Sequence, residues 1–270
     1  MKVATILPQN YLHLTADDDY FMCLGHLINE PGYEQYTKFF ADRAKEGKYV
    51  IMDNGVIEGN QRPIQELAEK AMSIGASEMI VTDVFRDCNA TLEAISRDLK
   101  VLNNVPHPHV MLVPQGNTLD EWVFCAHQLI KRFGTYDFTI GVPKVLSDIG
   151  GRDGRIAALY KLCEVCPVAK HKTAHLLGCW TSPLEILMLD KIQDSGSRCL
   201  PKLRGVDSAI PFVFARAGLR VNAADRPDSD PINFQHSEVS ERLLKRNIKD
   251  WRKACSADYR KKFWTFLTRR

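Results

Sequence analysis

What the chain lacks narrows the field first. No stretch of 18 residues is apolar and free of charge, so no segment is expected to span a bilayer. The opening MKVATILPQNYLHL is interrupted at Pro8, Gln9 and Asn10 and has no small-residue cleavage site. It therefore reads as a strand and not as a signal peptide. Eight cysteines in 270 residues make no disulfide framework. Without an export signal, the expectation is reduced thiols in a cytoplasm. No low-complexity linker divides the chain. The glycine-rich segment Gly150–Gly154 has no Lys-Ser/Thr ending, so it reads as a flexible turn or a lid and not as a phosphate-binding loop.

Metal-ligand spacing is also missing. Cys163, Cys166, His171 and His175 lie within 13 residues, but the gap between the Cys and His pairs is too short for a zinc finger. Buried thiols and a strand histidine are the expected roles. His107 and His109 precede a strand and read as loop residues.

Charge is uneven along the chain. The net charge of +3 conceals a segment, Arg242 to Arg270, with 11 Lys/Arg against Asp250 and Asp258, which leaves about −6 for everything before it. Trp251, Tyr259, Phe263, Trp264 and Phe266 are interleaved with these cations. Such a segment suits a phosphate backbone, and it equally suits an amphipathic helix docked on the body.

Apolar, partly β-branched runs recur at Val3–Leu7, Tyr49–Asp53, Met79–Val84, Val110–Gln115, Phe138–Val142, Thr173–Leu177 and Arg204–Asp207. From the second onward they start about 30 residues apart. Segments with helical periodicity fall between most of them: Pro63–Ile74, Thr91–Leu102, Leu119–Phe133, Arg155–Cys163 and Pro183–Ile192. Strand–helix–strand at this spacing means βα units on a parallel sheet. Seven strands with an eighth near Leu219–Asn222 predict an α/β fold, a (β/α)8 TIM-type barrel over residues 1–224, in preference to an open doubly wound sheet. The turn-rich stretch Asp225–Pro231 then leads to a basic helical C-terminal extension, residues 225–270, packed on the barrel. Its helices are expected at Ser237–Lys249 and Ala257–Thr268. Asp17–Tyr33 reads as an irregular insertion.

Reactive groups of such a barrel come from the C-terminal ends of its strands. Those ends carry Asp53, Asn54 and Gly55, then Asp83, Gln115 and Gly116, Gly141, Gly178 and Asp207. A single Asp there reads as a helix N-cap, but three with a Gln-Gly pair point to a site, because a buried strand end is a costly place for unpaired charge.

These segments resemble, in order, the motifs of the tRNA-guanine transglycosylase superfamily, most closely its phage and bacterial 7-deazaguanine DNA transglycosylase branch. VIMDNGVIEGN is similar to the Asp-Ser-Gly-Gly-aromatic motif, IVTDVF to the strand ending in the base-recognising Asp, and LVPQGN to the Gln-Gly element. FTIGVPKV resembles the glycine-rich base-binding loop, HLLGCWTSP the His-Leu-Leu/Met-Gly segment, and GVDSAIPFVFAR the nucleophile segment. The matches cover roughly residues 49 to 220.

The resemblance implies that Asp207 is the nucleophile and Asp53 the second catalytic carboxylate. It implies that Asp83, Gln115, Gly116, Asn54, Gly55 and the Gly141 backbone surround the base. The chemistry suits these types. A carboxylate can trap an oxocarbenium-like sugar as a covalent ester, and a donor must assist the departing purine. Guanine N–H groups call for an acceptor such as Asp83, and O6 for donors such as Gln115. Lys202, Arg204, Arg216 and Arg220 flank the nucleophile and are candidate phosphate contacts.

The chain also departs from the pattern. Ile57 stands where the family has an aromatic, and Pro143 follows the base-binding glycine. After Asp207 only Cys255 remains, so the tRNA enzymes' zinc site is missing, and about 60 residues leave no room for their tRNA-binding domain. The expectation is therefore exchange of guanine in DNA, flipped out or single-stranded, for a free 7-deazaguanine base such as 7-cyano-7-deazaguanine. No metal or other cofactor and no membrane would be needed. Exchange on tRNA and a non-catalytic nucleic-acid-binding barrel are the alternatives.

Overall fold

Alternation within the short apolar runs dictates the architecture. The computed structural model describes residues 1–179, 184–194, 200–221, 227 and 230–256. Eight parallel strands run β1 (Lys2–Thr5), β2 (Tyr20–Leu24), β3 (Tyr49–Asp53), β4 (Glu78–Ile80), β5 (His109–Leu112), β6 (Phe138–Pro143), β7 (Thr173–Leu177) and β8 (Lys202–Ser208). Their order is β1-β8-β7-β6-β5-β4-β3-β2, with β1 alongside β2, so the sheet curls into a nearly closed barrel with helices between its strands. The expected (β/α)8 architecture is the observed one. Among the described residues no helix is long and apolar enough to cross a membrane.

One strand was misplaced. The eighth strand is Tyr20–Leu24, inside the segment expected to be an irregular insertion; of the stretch expected to supply it, residues 219–221 form no strand and Asn222 lies outside the described residues. Gly218, at φ +71°, ends a helix, and the next turn is held by the Asn247 side chain, which accepts from Val221 N–H and donates to the Leu219 carbonyl. Pinned this way, residues 219–221 offer no ladder.

The helices are α1 (Glu34–Lys45), α2 (Ile64–Ile74), α3 (Cys88–Leu102), α4 (Leu119–Phe133), α5 (Val145–Gly150), α6 (Gly154–Val165), α7 (Leu184–Asp194), α8 (Ile210–Arg216) and α9 (Glu241–Ala254). Local chemistry sets their ends. Asp87 and Thr118 cap α3 and α4 by accepting from Ala90 and Glu121 N–H, and Gly75 closes α2 in the left-handed region at φ +68°. The helix expected at Ala257–Thr268 lies outside the described residues.

Two apolar layers result. Outward residues such as Val50, Met52, Met79, Val110, Leu112, Ile140 and Leu176 pack under the helices. Inward residues Ala4, Met22, Ile51, Ile80 and Met111 fill the middle of the barrel. Beneath them, at the N-terminal ends of the strands, lies a polar floor. There Arg204 donates to Tyr20 and Tyr49 at 3.0 and 2.8 Å, to Thr139 at 3.2 Å, and to both oxygens of fully buried Glu78.

A β-bulge makes this floor. Between β7 and β8 the register runs Ala174↔Leu203 and then His175↔Gly205, skipping Arg204. Side chains alternate along a regular strand, so residues three apart face opposite ways. The extra residue brings both Arg204 and Asp207 to the interior. Glycine is required beside it, since a Cβ at Gly205 would stand 2.7 Å from the Tyr20 ring and 2.9 Å from the Lys2 carbonyl.

The C-terminal segment does more than pack. α9 buries Leu244, Ile248 and Trp251 and lies on α8, while Arg242, Lys245, Arg246, Lys249 and Lys253 stay exposed. Upstream of it, residues 230–234 form part of the wall of the cavity at the barrel mouth, so a boundary at residue 224 cuts through the site.

Candidate active site

At the C-terminal ends of the strands a cavity of about 1090 Å³ opens. That is at the top of the roughly 300–1,000 Å³ range of small-molecule sites, with room for a base and its sugar. Asp53, Asn54, Asp83, Gln115 and Asp207 all line it. Five residues from four strand ends, singled out in the sequence, therefore meet in one hollow. Its apolar walls include Leu24, Ile80, Val113 and Leu177.

Asp207 is buried at the end of β8. Its Oδ1 accepts from the Gly178 N–H at 3.1 Å and lies 3.0 Å from His175 Nε2. Oδ2 receives no hydrogen bond from a described residue and is left to the cavity. Gly178 presents its N–H from the left-handed region at φ +68°, where a side chain would be strained. Its carbonyl is held from behind. Buried Arg155 of α6 donates to it at 2.8 Å and grips Glu185 of α7 through two bonds of 2.6 Å.

Asp83 sits in a cradle of amides. Asn54 Nδ2 donates to Oδ1 at 2.8 Å and to the Val81 carbonyl at 3.0 Å, while Gln115 Nε2 donates to Oδ2 at 2.5 Å. Gln115 is oriented in turn by the Arg86 N–H on its Oε1, and Gln61 fixes the Asp83 carbonyl. Burial raises the Asp83 carboxyl to about 6, with the two amide donors pulling the other way. Asn54 donates both Nδ2 hydrogens within the site and accepts from Val56 N–H, so it positions Asp83 and keeps one lone pair of Oδ1 toward the cavity.

Asp53 is raised further, to about 8, first by burial and then by the like charges of Glu58, Asp207 and Asp83; the Gly55 N–H at 3.0 Å is the one opposing influence. Near neutral pH it carries a proton. Glu58 is raised as well, by burial and by Asp207. The mouth thus combines a carboxyl that burial holds protonated with an Asp207 oxygen that no described residue engages.

Three expected base contacts are elsewhere. Gly141 lies inside β6, where a Cβ would stand 2.7 Å from Val113 and 3.0 Å from Leu177, and Pro143, Lys144 and Val145 line the cavity in its place. Gly116 packs against the start of α4, with no room for a Cβ beside Trp122 N. Gly55 turns the chain at φ +73° and serves Asp53. None of these three glycines is among the residues that line the cavity.

The four candidate phosphate contacts do not form a surface at the mouth. Arg204 is turned into the floor, about 10 Å below Asp207 at some 3.3 Å per strand residue. Lys202 is exposed at the opposite end of β8. Arg216 is spent on the Asp230 and Pro231 carbonyls, and Arg220 on Asp250 at 2.6 Å. Instead Asp53, Glu58, Asp83, Asp148, Asp207 and Asp230 make the lining predominantly acidic, with Lys144 as its only described lysine or arginine.

His175, Tyr20 and Glu58 escaped the sequence reading as site residues. A signal for His175 was present, since it is two residues before the end of β7 and shares a face with Leu177, which points inward. Its supposed companions Cys163 and Cys166 are buried in the outer helical layer, so the four zinc-like residues do not converge.

No protein-family model matches the chain, and no curated protein sequence matches it. Among solved structures it is similar to D-psicose 3-epimerase with D-tagatose from Clostridium cellulolyticum H10, at 10% identity and a TM-score of 0.48, over 95% of this chain and 100% of that one.

Proposed function

We propose that this protein is a base-exchange transglycosylase that replaces guanine in DNA with a free 7-deazaguanine base through a covalent intermediate on Asp207. The observation that carries the reading is the uncommitted Asp207 Oδ2 in the same cavity as protonated Asp53 and the amide-cradled Asp83.

In the first half, Asp207 Oδ2 forms a bond to the sugar C1′ as the C1′–N9 bond breaks, and the bonding pair leaves with the purine. Asp53 gives its proton to the departing base, which leaves as neutral guanine. In the second half the incoming 7-deazaguanine returns a proton to Asp53, its N9 bonds to C1′, and the Asp207 ester bond breaks with its electron pair returning to the carboxylate. Asp83 has a second lone pair on each oxygen for the base's N–H groups, and Gln115 Nε2 has a second hydrogen for O6. The acidic lining suits a base and sugar entering alone, with phosphates kept outside, as base flipping or a single strand would deliver them.

The test is incubation of the protein with guanine-labelled DNA and 7-cyano-7-deazaguanine. Release of label by wild type, abolished in Asp207→Ala, is expected. No release from DNA but release from labelled tRNA would move the activity to tRNA. Binding of DNA without release from either would leave a non-catalytic nucleic-acid-binding barrel.

A further inference from the structure

The geometry points to a hydrogen-bond relay from the barrel floor that fixes the tautomer of His175 and makes it, with Gly178, a two-donor seat for one oxygen of Asp207. The relay rests on the proposed role of Asp207 only for its kinetic consequence.

The direction of every bond follows from one end. Arg204 has no acceptor atom, and its guanidinium is fixed in the floor by Glu78, Tyr49 and Thr139. Its Nε–H therefore donates to the Tyr20 hydroxyl at 3.0 Å. Tyr20 must send its own proton elsewhere, and His175 Nδ1 is 2.7 Å away. Burial, the largest influence on this phenol, favours its protonated form. Nδ1 is thus an acceptor, and the proton of the neutral ring sits on Nε2, which donates to Asp207 Oδ1 at 3.0 Å. A ring protonated on both nitrogens would leave the Tyr20 proton without this acceptor.

The seat acts in both halves of the exchange. In the free enzyme, donors from His175 and Gly178 hold Oδ1 and turn Oδ2 toward the sugar. In the covalent ester Oδ1 is the carbonyl oxygen, and the same donors stabilise the carboxylate that leaves when the new base attacks. His175 acts through Asp207 and is a positioning residue. So are Tyr20 and Arg204, one and two bonds farther away.

Nitrogen-15 spectra of histidine-labelled protein read the tautomer directly. Wild type is expected to show His175 protonated at Nε2 and bare at Nδ1, and Tyr20→Phe to lose that preference. Wild-type His175 protonated at Nδ1, or at both nitrogens, would overturn the relay. In the exchange assay, Tyr20→Phe should lower kcat by about 10²-fold, the scale of a slightly misplaced reacting group, with KM for the free base unchanged. His175→Gln keeps an N–H near the position of Nε2 and should retain far more rate than His175→Leu; equal losses would overturn the seat. Should Tyr20→Phe fold poorly, the wild-type spectrum and the Gln–Leu pair still decide. Wild type with no exchange activity would sink the transglycosylase reading, while the spectra would still judge the relay.

Discussion

The two ends of the barrel treat buried charge in opposite ways. At the floor, Glu78 is fully enclosed and both its oxygens receive bonds from Arg204, which Tyr20, Tyr49 and Thr139 also engage. At the mouth, Asp53 has a single backbone donor, faces other carboxylates and is raised to about 8. The floor is a neutral, saturated network that holds the interior in register. The mouth gathers carboxyls with few donors, which holds Asp53 protonated at a cost in stability. The middle band of Met22, Ile51, Ile80 and Met111 separates them, and the Tyr20–His175 pair alone among the contacts described bridges it.

Breaking the floor should have the largest effect on stability. Arg204→Met removes both guanidinium bonds to buried Glu78, leaving His109 Nε2 at 3.7 Å, and should destabilise by about 3–5 kcal/mol in urea unfolding. Adding Glu78→Leu should recover most of that loss. A single variant as stable as wild type would mean that the floor holds nothing together.

The mouth should respond with the opposite sign. Folded Asp53 keeps its proton up to pH about 8, whereas the unfolded carboxyl releases its proton near 3.8, so wild type loses stability as pH rises between those values. Asp53→Asn escapes this loss. Its thermal stability should exceed that of wild type by a margin that widens from pH 4 to 8 and then levels. The same variant should have little exchange activity.

The pH–rate profile sharpens the contrast within the mouth. The proposed exchange uses Asp83 ionised and Asp53 protonated, so kcat/KM should rise through about 6 and fall through about 8. Gln115→Leu removes a donor to Asp83 and should move the acid limb upward while leaving the alkaline limb in place. The smallest effect is expected at Ile57, which lines the cavity yet is 68% exposed. Ile57→Tyr places an aromatic at that position and should tighten free-base binding by about 0.5–1.5 kcal/mol in calorimetry, with the melting temperature unchanged.

The sequence made most of the barrel legible, because Tyr49–Asp53, Thr173–Leu177 and their kin alternate cleanly between an interior and a helix-covered face. β2 escaped because YFMCL is buried on both sides and has no β-branched residue, so neither polarity nor composition marks it. Asp53, Asp83, Gln115 and Asp207 were found because strand ends are where such a fold gathers reactive groups. Arg204 was misjudged for a physical reason: the bulge at Gly205 changes which face it occupies, and no local pattern announces one extra residue. Gly141 and Gly116 were mistaken for contacts because a glycine required by close packing looks, in a sequence, like one required by a ligand.

The ladder order has a consequence for how the chain is made. β1 leaves the ribosome first, yet its backbone partner is β8, some 200 residues later, while β2 to β7 can zip in sequence as they emerge. The first strand must therefore wait, its edge unpaired, until almost all of the barrel has been synthesised. Closure is then a late, long-range event, slow in the manner of non-local pairings, and Asp207 reaches its seat only as that last stave is set.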